Sequence, residues 1–139
     1  MSRIIPLLVV AALAGCGGGP RRELVPALAG TWGWTQDRAR SCETNPHTLS
    51  FSADRQFLIV RYRTPIKSYD KSARIEAYYR VLQINKRSVT LLLEGETRRQ
   101  RDGRPVSFEL RLLSDSAYCW HRSDKSEREC SPPVVRCKR

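Results

Sequence analysis

From residue 106 to residue 113 the side chains alternate in character. Val106, Phe108, Leu110 and Leu112 fall on one side of an extended chain, and Ser107, Glu109, Arg111 and Leu113 on the other. A period of two is the signature of a half-buried β-strand. Val89, Leu91 and Leu93 alternate in the same way with Thr90, Leu92 and Glu94, and Phe57, Ile59 and Arg61 with Leu58, Val60 and Tyr62. Apolar residues on both faces, at Leu58 and Leu92, imply partial cover of the outer face. Residues 75–84 are longer and carry Tyr78, Tyr79, Val81 and Leu82, a β-branched and aromatic content that favours strand over helix. Shorter strands are expected at residues 31–36, 48–52 and 116–122.

The punctuation between these runs agrees. Arg101-Asp102-Gly103-Arg104 is a hairpin signal, because Asp-Gly supplies the positive φ of a tight turn. Ala53-Asp54-Arg55 and Asn85-Lys86-Arg87 read as further turns. Pro65 cannot donate to a sheet ladder, so residues 64–70 are expected to form a longer loop. No amphipathic helix of three turns interrupts the series. The fold expected is all-β: a small antiparallel β-barrel of about seven to eight strands that closes its own edges, with a sandwich as the alternative.

The start of the chain follows different rules. Arg3, an apolar run over residues 4–14, and Leu13-Ala14-Gly15-Cys16 resemble the signal peptide and lipobox of bacterial lipoprotein precursors. The run is too short for a membrane span, which needs about 20 apolar residues, and it contains Pro6. The resemblance implies cleavage before Cys16, diacylglyceryl transfer to its sulfur and acylation, such as with palmitate, of its new amino group. More than one acyl chain anchors stably. Gly17, rather than Asp, after the cysteine favours the outer membrane, facing the periplasm. The domain reading is a signal peptide over residues 1–15, a lipidated cysteine and Gly-rich tether over residues 16–26, and the barrel over residues 27–139.

Removal of residues 1–15 would leave 124 residues, enough for one domain, and would lower the net charge from +11 to +10. A balance this basic suits an anionic partner. Behind an export signal that means anionic lipid or an envelope protein, and not nucleic acid. The alternative is a solvated surface in which 20 arginines simply outnumber 5 lysines. Arg98, Arg99, Arg101 and Arg104 crowd one hairpin and are the residues expected to meet an anionic partner; Arg61, Arg63, Lys67, Lys71 and Arg74 flank the loop at Pro65. A monomer is expected.

Cys42, Cys119, Cys130 and Cys137 form an even set, which in an exported small domain means two disulfides with three possible connectivities. Metal binding is not expected, because no Cys-x-x-Cys or His-x-x-x-His pair exists. No cofactor motif and no nucleophile elbow is present, and an enzyme is not expected. His121 lies near Ser123 and Asp124 without the elbow that a catalytic serine needs. His47, after Asn45-Pro46, reads as a turn residue. Glu94, Glu96 and Glu109 read as cross-strand ion-pair partners of Arg98, Arg99 and Arg111.

Leu28-Ala29-Gly30-Thr31-Trp32 resembles the Gly-x-Trp opening of lipocalin-like (calycin) barrels. The resemblance implies that the tryptophan closes the barrel floor against an arginine of the last strand, for which Arg122 is the candidate. The opening is also similar to small periplasmic barrels that inhibit secreted metalloproteases. Trp32, Trp34, Tyr118 and Trp120 then either line a ligand cavity or fill the core, and a barrel this small favours filling. The function expected is non-catalytic binding by an accessory factor that docks an anionic or protein partner; the alternatives are an inhibitor of a secreted hydrolase or a carrier of a small apolar ligand.

Overall fold

The computed structural model describes residues 23–139. The lipobox, Cys16 and the tether up to residue 22 lie outside the described residues. A one-turn-plus helix, α1 (Leu24–Leu28), is followed by β1 (Gly30–Trp34), β2 (His47–Phe51), β3 (Phe57–Lys67), β4 (Ala73–Ile84), β5 (Ser88–Leu93), β6 (Phe108–Ser114), β7 (Ala117–Arg122) and β8 (Val134–Arg136). Each strand pairs antiparallel with the next, and β8 pairs with β1, so the sheet is a closed eight-stranded up-and-down barrel with no free edge. The first residues of α1 fall in the stretch read as tether, and Leu24 is buried.

The alternation read from the sequence sets the inner face. Leu58, Val60 and Tyr62 of β3, Val89 and Leu91 of β5, and Leu110 and Leu112 of β6 all join the buried core. Phe57 and Ile59 sit on the outer face, half buried. Pro65 did not exclude a strand. β3 continues through it to Lys67, and the register against β4 shifts between Arg61 and Ile66. The proline occupies that irregularity, where no ladder bond is required of it. The loop is therefore shorter than expected, and the β3–β4 hairpin extends past the barrel body.

One end of the barrel is plugged. Leu24, Ala27 and Leu28 of α1 are buried against the core, and Trp32 Nε1 donates to the Leu28 carbonyl at 2.9 Å. The arginine that packs on Trp32 is Arg136 of β8, not Arg122. Its guanidinium lies 4.2 Å from the Trp32 ring centroid and donates to the carbonyls of Ala29, at 3.0 Å, and Ala27. The correction follows from register: Arg136 stands directly opposite Trp32 on the strand that closes the barrel, whereas Arg122 lies opposite Phe108 at the other end. The glycine of the motif is required by its backbone conformation and crowded by the same contact. Gly30 has φ +135°, and a Cβ there would lie 2.6 Å from Arg136 Nη1.

The disulfides are Cys42–Cys137, joining the β1–β2 loop to the chain end across 95 residues, and Cys119–Cys130, joining β7 to the segment that follows it across 11. All four cysteine sulfurs outside the tether are thus committed to each other.

Candidate functional site

Opposite the plugged floor the barrel is open, and its interior there is not filled. A cavity of about 820 Å³ enters from this mouth, within the range of small-molecule sites. The four aromatic candidates divide by depth. Trp32 and Tyr118 are fully buried and meet edge-to-face, with ring centroids 4.8 Å apart, as part of the floor. Trp34 and Trp120, two residues further along the same strands, line the cavity. The expectation that a barrel this small is packed throughout therefore holds for the floor half only.

The cavity wall is aromatic on one side. Tyr79, Phe108 and Trp120 form a cluster, with Tyr79–Phe108 centroids at 5.8 Å and Tyr79–Trp120 at 5.4 Å. Each comes from a different strand, on the inward face that period-two alternation dictates. Burial pushes the Tyr79 hydroxyl well above its ordinary pKa, so it stays protonated.

His47 is a strand residue and not a turn residue. It opens β2, is fully buried, and its Nε2 lies 2.6 Å from the Tyr118 hydroxyl. Burial, reinforced by the nearby Arg40 charge, lowers its pKa to about 4, so the ring is neutral at physiological pH. His47 Nδ1 and Trp34 Nε1 are buried without a hydrogen-bond partner among the described residues. Such atoms are costly in a barrel assembled for stability alone, and both belong to residues that line the cavity.

The rim is built differently from the wall. Arg40, Lys67, Arg74, Arg98, Arg122 and Lys125 line the mouth, against Glu76 and Glu129. Four of these arginines are held from outside the cavity by a carboxylate two to four residues away. Arg40 Nε bonds Asp37 at 2.7 Å, and Arg74 Nη2 bonds Asp70 at 2.7 Å. Arg98 bonds Glu96 through Nε at 2.8 Å and Nη2 at 2.9 Å; Arg122 bonds Asp124 through Nε at 3.0 Å and Nη2 at 2.8 Å. An i,i+2 spacing on extended chain places both members of a pair on one face. The Glu96 side chain is only 1% exposed; burial opposes its ionisation, but the Arg98 hydrogen bonds outweigh burial and lower its pKa. Arg98 also stacks over Tyr69 at 3.9 Å, and Arg40 over Trp34 at 4.5 Å.

The basic hairpin singled out in the sequence is therefore split. Arg98 turns into the mouth. Arg99, Arg101 and Arg104 stay on the exposed tip, where Gly103 takes φ +84° and Arg104 pairs with Asp102 at 2.7 Å. The glutamate pairs are not cross-strand. Glu96 and Glu109 each bond the arginine two residues on in their own segment, and Arg111 also reaches Glu127. His121 does not join Ser123 and Asp124 in a relay: its Nδ1 lies 2.7 Å from the Glu129 carbonyl, while Asp124 is bonded to Arg122. Among the described residues no cluster of three histidine, cysteine or acidic side chains could hold a metal ion.

No protein-family model matches this chain, and neither a curated protein nor a solved structure matches it.

Proposed function

We propose that this protein is a lipid-anchored, non-catalytic binding protein of the bacterial envelope that carries a small, largely apolar ligand in the open end of a lipocalin-like barrel. One observation carries the reading: the interior is packed from the α1 plug up to Tyr118 and open from there to the mouth, with Tyr79, Phe108 and Trp120 as its wall. A barrel with only a structural role gains nothing from leaving aromatic surface unburied, since each such ring withdrawn from water adds stability. The lipobox at Cys16 supports attachment to the outer membrane, with the barrel facing the periplasm, where oxidised cysteines persist.

The reading is tested with the neutral apolar probe N-phenyl-1-naphthylamine and oxidised residues 23–139, which contain the eight described strands and both described disulfides. The probe is expected to bind at one site, to receive excitation from tryptophan, and to resist high salt because apolar burial drives the association. Ala77→Trp, which fills the cavity from its β4 wall, is expected to abolish binding with the circular dichroism of the barrel retained. Absence of probe binding, or equal binding by Ala77→Trp, contradicts the reading.

A second reading keeps the basic hairpin tip as a docking surface. Arg99 and Arg101 are exposed and make no ion pair among the described residues. It predicts capture of anionic vesicles that is lost both at high salt and on Arg99→Glu with Arg101→Glu.

A further inference from the structure

We infer that the ligand is a single-chain amphiphile with an anionic head group, carboxylate or phosphate, and that Arg98 and Arg122 clamp that head at the mouth while the chain lies against Tyr79 and Trp120. The inference rests on the carrier reading above and specifies its ligand.

Arg98 and Arg122 come from different parts of the chain, the β5–β6 connection and the end of β7. The fold brings them together around Phe108. Arg122 is its direct partner across the β6–β7 ladder, and the Arg98 guanidinium lies 5.6 Å from its ring centroid. Each arginine is held side-on, through Nε and Nη2, by its own carboxylate. That arrangement fixes the plane of the guanidinium and leaves Nη1 of each without a protein acceptor among the described residues. Guanidinium forks match carboxylate and phosphate oxygens, and a pre-oriented fork loses little rotamer freedom on binding. The aromatic wall begins at the same place, since Phe108 packs on Tyr79 and Trp120. Head-group donors and chain-binding surface are therefore contiguous, which is the layout that an amphiphile fits.

The outer carboxylates also decide between a defined ligand and a polyanion. Asp37, Asp70, Glu96 and Asp124 offset four of the six rim cations. A surface meant to hold a polyanion by its field would leave those cations uncompensated. A rim whose arginines are oriented and largely neutralised suits one head group at short range.

Displacement of bound N-phenyl-1-naphthylamine tests this with three ligands of equal chain length: dodecanoate, dodecyl phosphate and dodecanol. The two anions are expected to bind at least about tenfold more tightly than the alcohol, the size of effect that one or two charge-assisted hydrogen bonds produce. A preference for one anion over the other identifies a fatty acid or a phosphorylated lipid as the source of the head group. Arg122→Gln is expected to reduce the preference for the anions over dodecanol to near unity. Arg98→Gln would strand the buried Glu96, so the matching variant is Glu96→Gln with Arg98→Gln. If dodecanol displaces the probe as well as the anions do, the head-group inference is overturned and the carrier reading stands. If the probe binds and no dodecyl ligand displaces it, the amphiphile is the wrong ligand class. If the probe itself fails to bind, both fall.

Discussion

Replacing Arg136 by methionine keeps the aliphatic stem and removes the guanidinium that locks the barrel floor. The contacts that go with it include the stack 4.2 Å over Trp32, the hydrogen bonds to the Ala29 carbonyl at 3.0 Å and the Asp115 carbonyl at 3.2 Å, and the bond to the Ala27 carbonyl. A partly desolvated cation–π contact contributes about 1 kcal/mol. Hydrogen bonds from a charged donor contribute roughly 1.5 kcal/mol each at the low end, the end appropriate to a partly exposed group. The expected loss is at least about 4 kcal/mol. At about 4 °C per kcal/mol for a domain of this size, that is a fall in Tm of roughly 15 °C. Thermal and urea unfolding, followed by circular dichroism with both disulfides verified intact, measure it. Arg136→Lys keeps the charge but not the fork, and is expected to recover less than half of the loss. Gly30→Ala should be strongly destabilising in the parent, where its Cβ meets Arg136, and less so in the Arg136→Met background. A loss below about 1 kcal/mol for Arg136→Met, or an Arg136→Lys barrel as stable as the parent, would refute the assignment of Arg136 as the floor clamp.

Removing Cys42–Cys137 as a double serine variant should cost more than removing Cys119–Cys130. Loop closure over 95 and 11 residues gives roughly 4–5 and roughly 3 kcal/mol, read from urea midpoints. Gly33→Ala should hinder the first disulfide, because a Cβ at Gly33 would sit 2.3 Å from the Cys42 backbone nitrogen; free-thiol counts after oxidative refolding report this. His47 stays neutral in the folded state down to about pH 4, whereas an unfolded histidine protonates near its ordinary 6.5. Between those values the unfolded chain binds more protons, so stability falls as pH drops, by roughly 3 kcal/mol at pH 4. His47→Gln should flatten the decline over that window, and an unchanged decline would contradict the buried neutral assignment.

The strands were legible because a closed barrel with one packed face writes its geometry into the sequence as a period of two. Phe108, Leu110 and Leu112 gave the inward face of β6, and Val106, just before the strand, is buried with them. Alternation gives the face of a side chain but not its depth. The alternation does not separate Trp32 from Trp34, or Tyr118 from Trp120, yet one of each pair seals the floor and the other lines the cavity; only Trp32 was marked for the floor, by the Gly-x-Trp opening. β8 went unread because three residues after Pro132-Pro133 carry too little pattern. With it went Arg136, and the floor contact fell to Arg122 by default. His47 was hidden for a different reason: Asn45-Pro46 signals a turn, and the strand begins at the very next residue. The rim did leave a trace. Glu96-x-Arg98 and Arg122-x-Asp124 are acid–base pairs at strand spacing, and they distinguish Arg98 from Arg99 and Arg101, whereas Asp102-x-Arg104 repeats the spacing on the exposed tip. Their convergence around Phe108 is long-range and depends on strand register.

The most direct measurement is a crystal structure of the oxidised barrel, residues 23–139, grown with excess dodecanoate. The account predicts chain density along Tyr79 and Trp120 inside the mouth, and a carboxylate within hydrogen-bond distance of Arg98 and Arg122. A cavity closed by side chains from its own walls, or dodecanoate bound only on the outer face of the sheet, would contradict it.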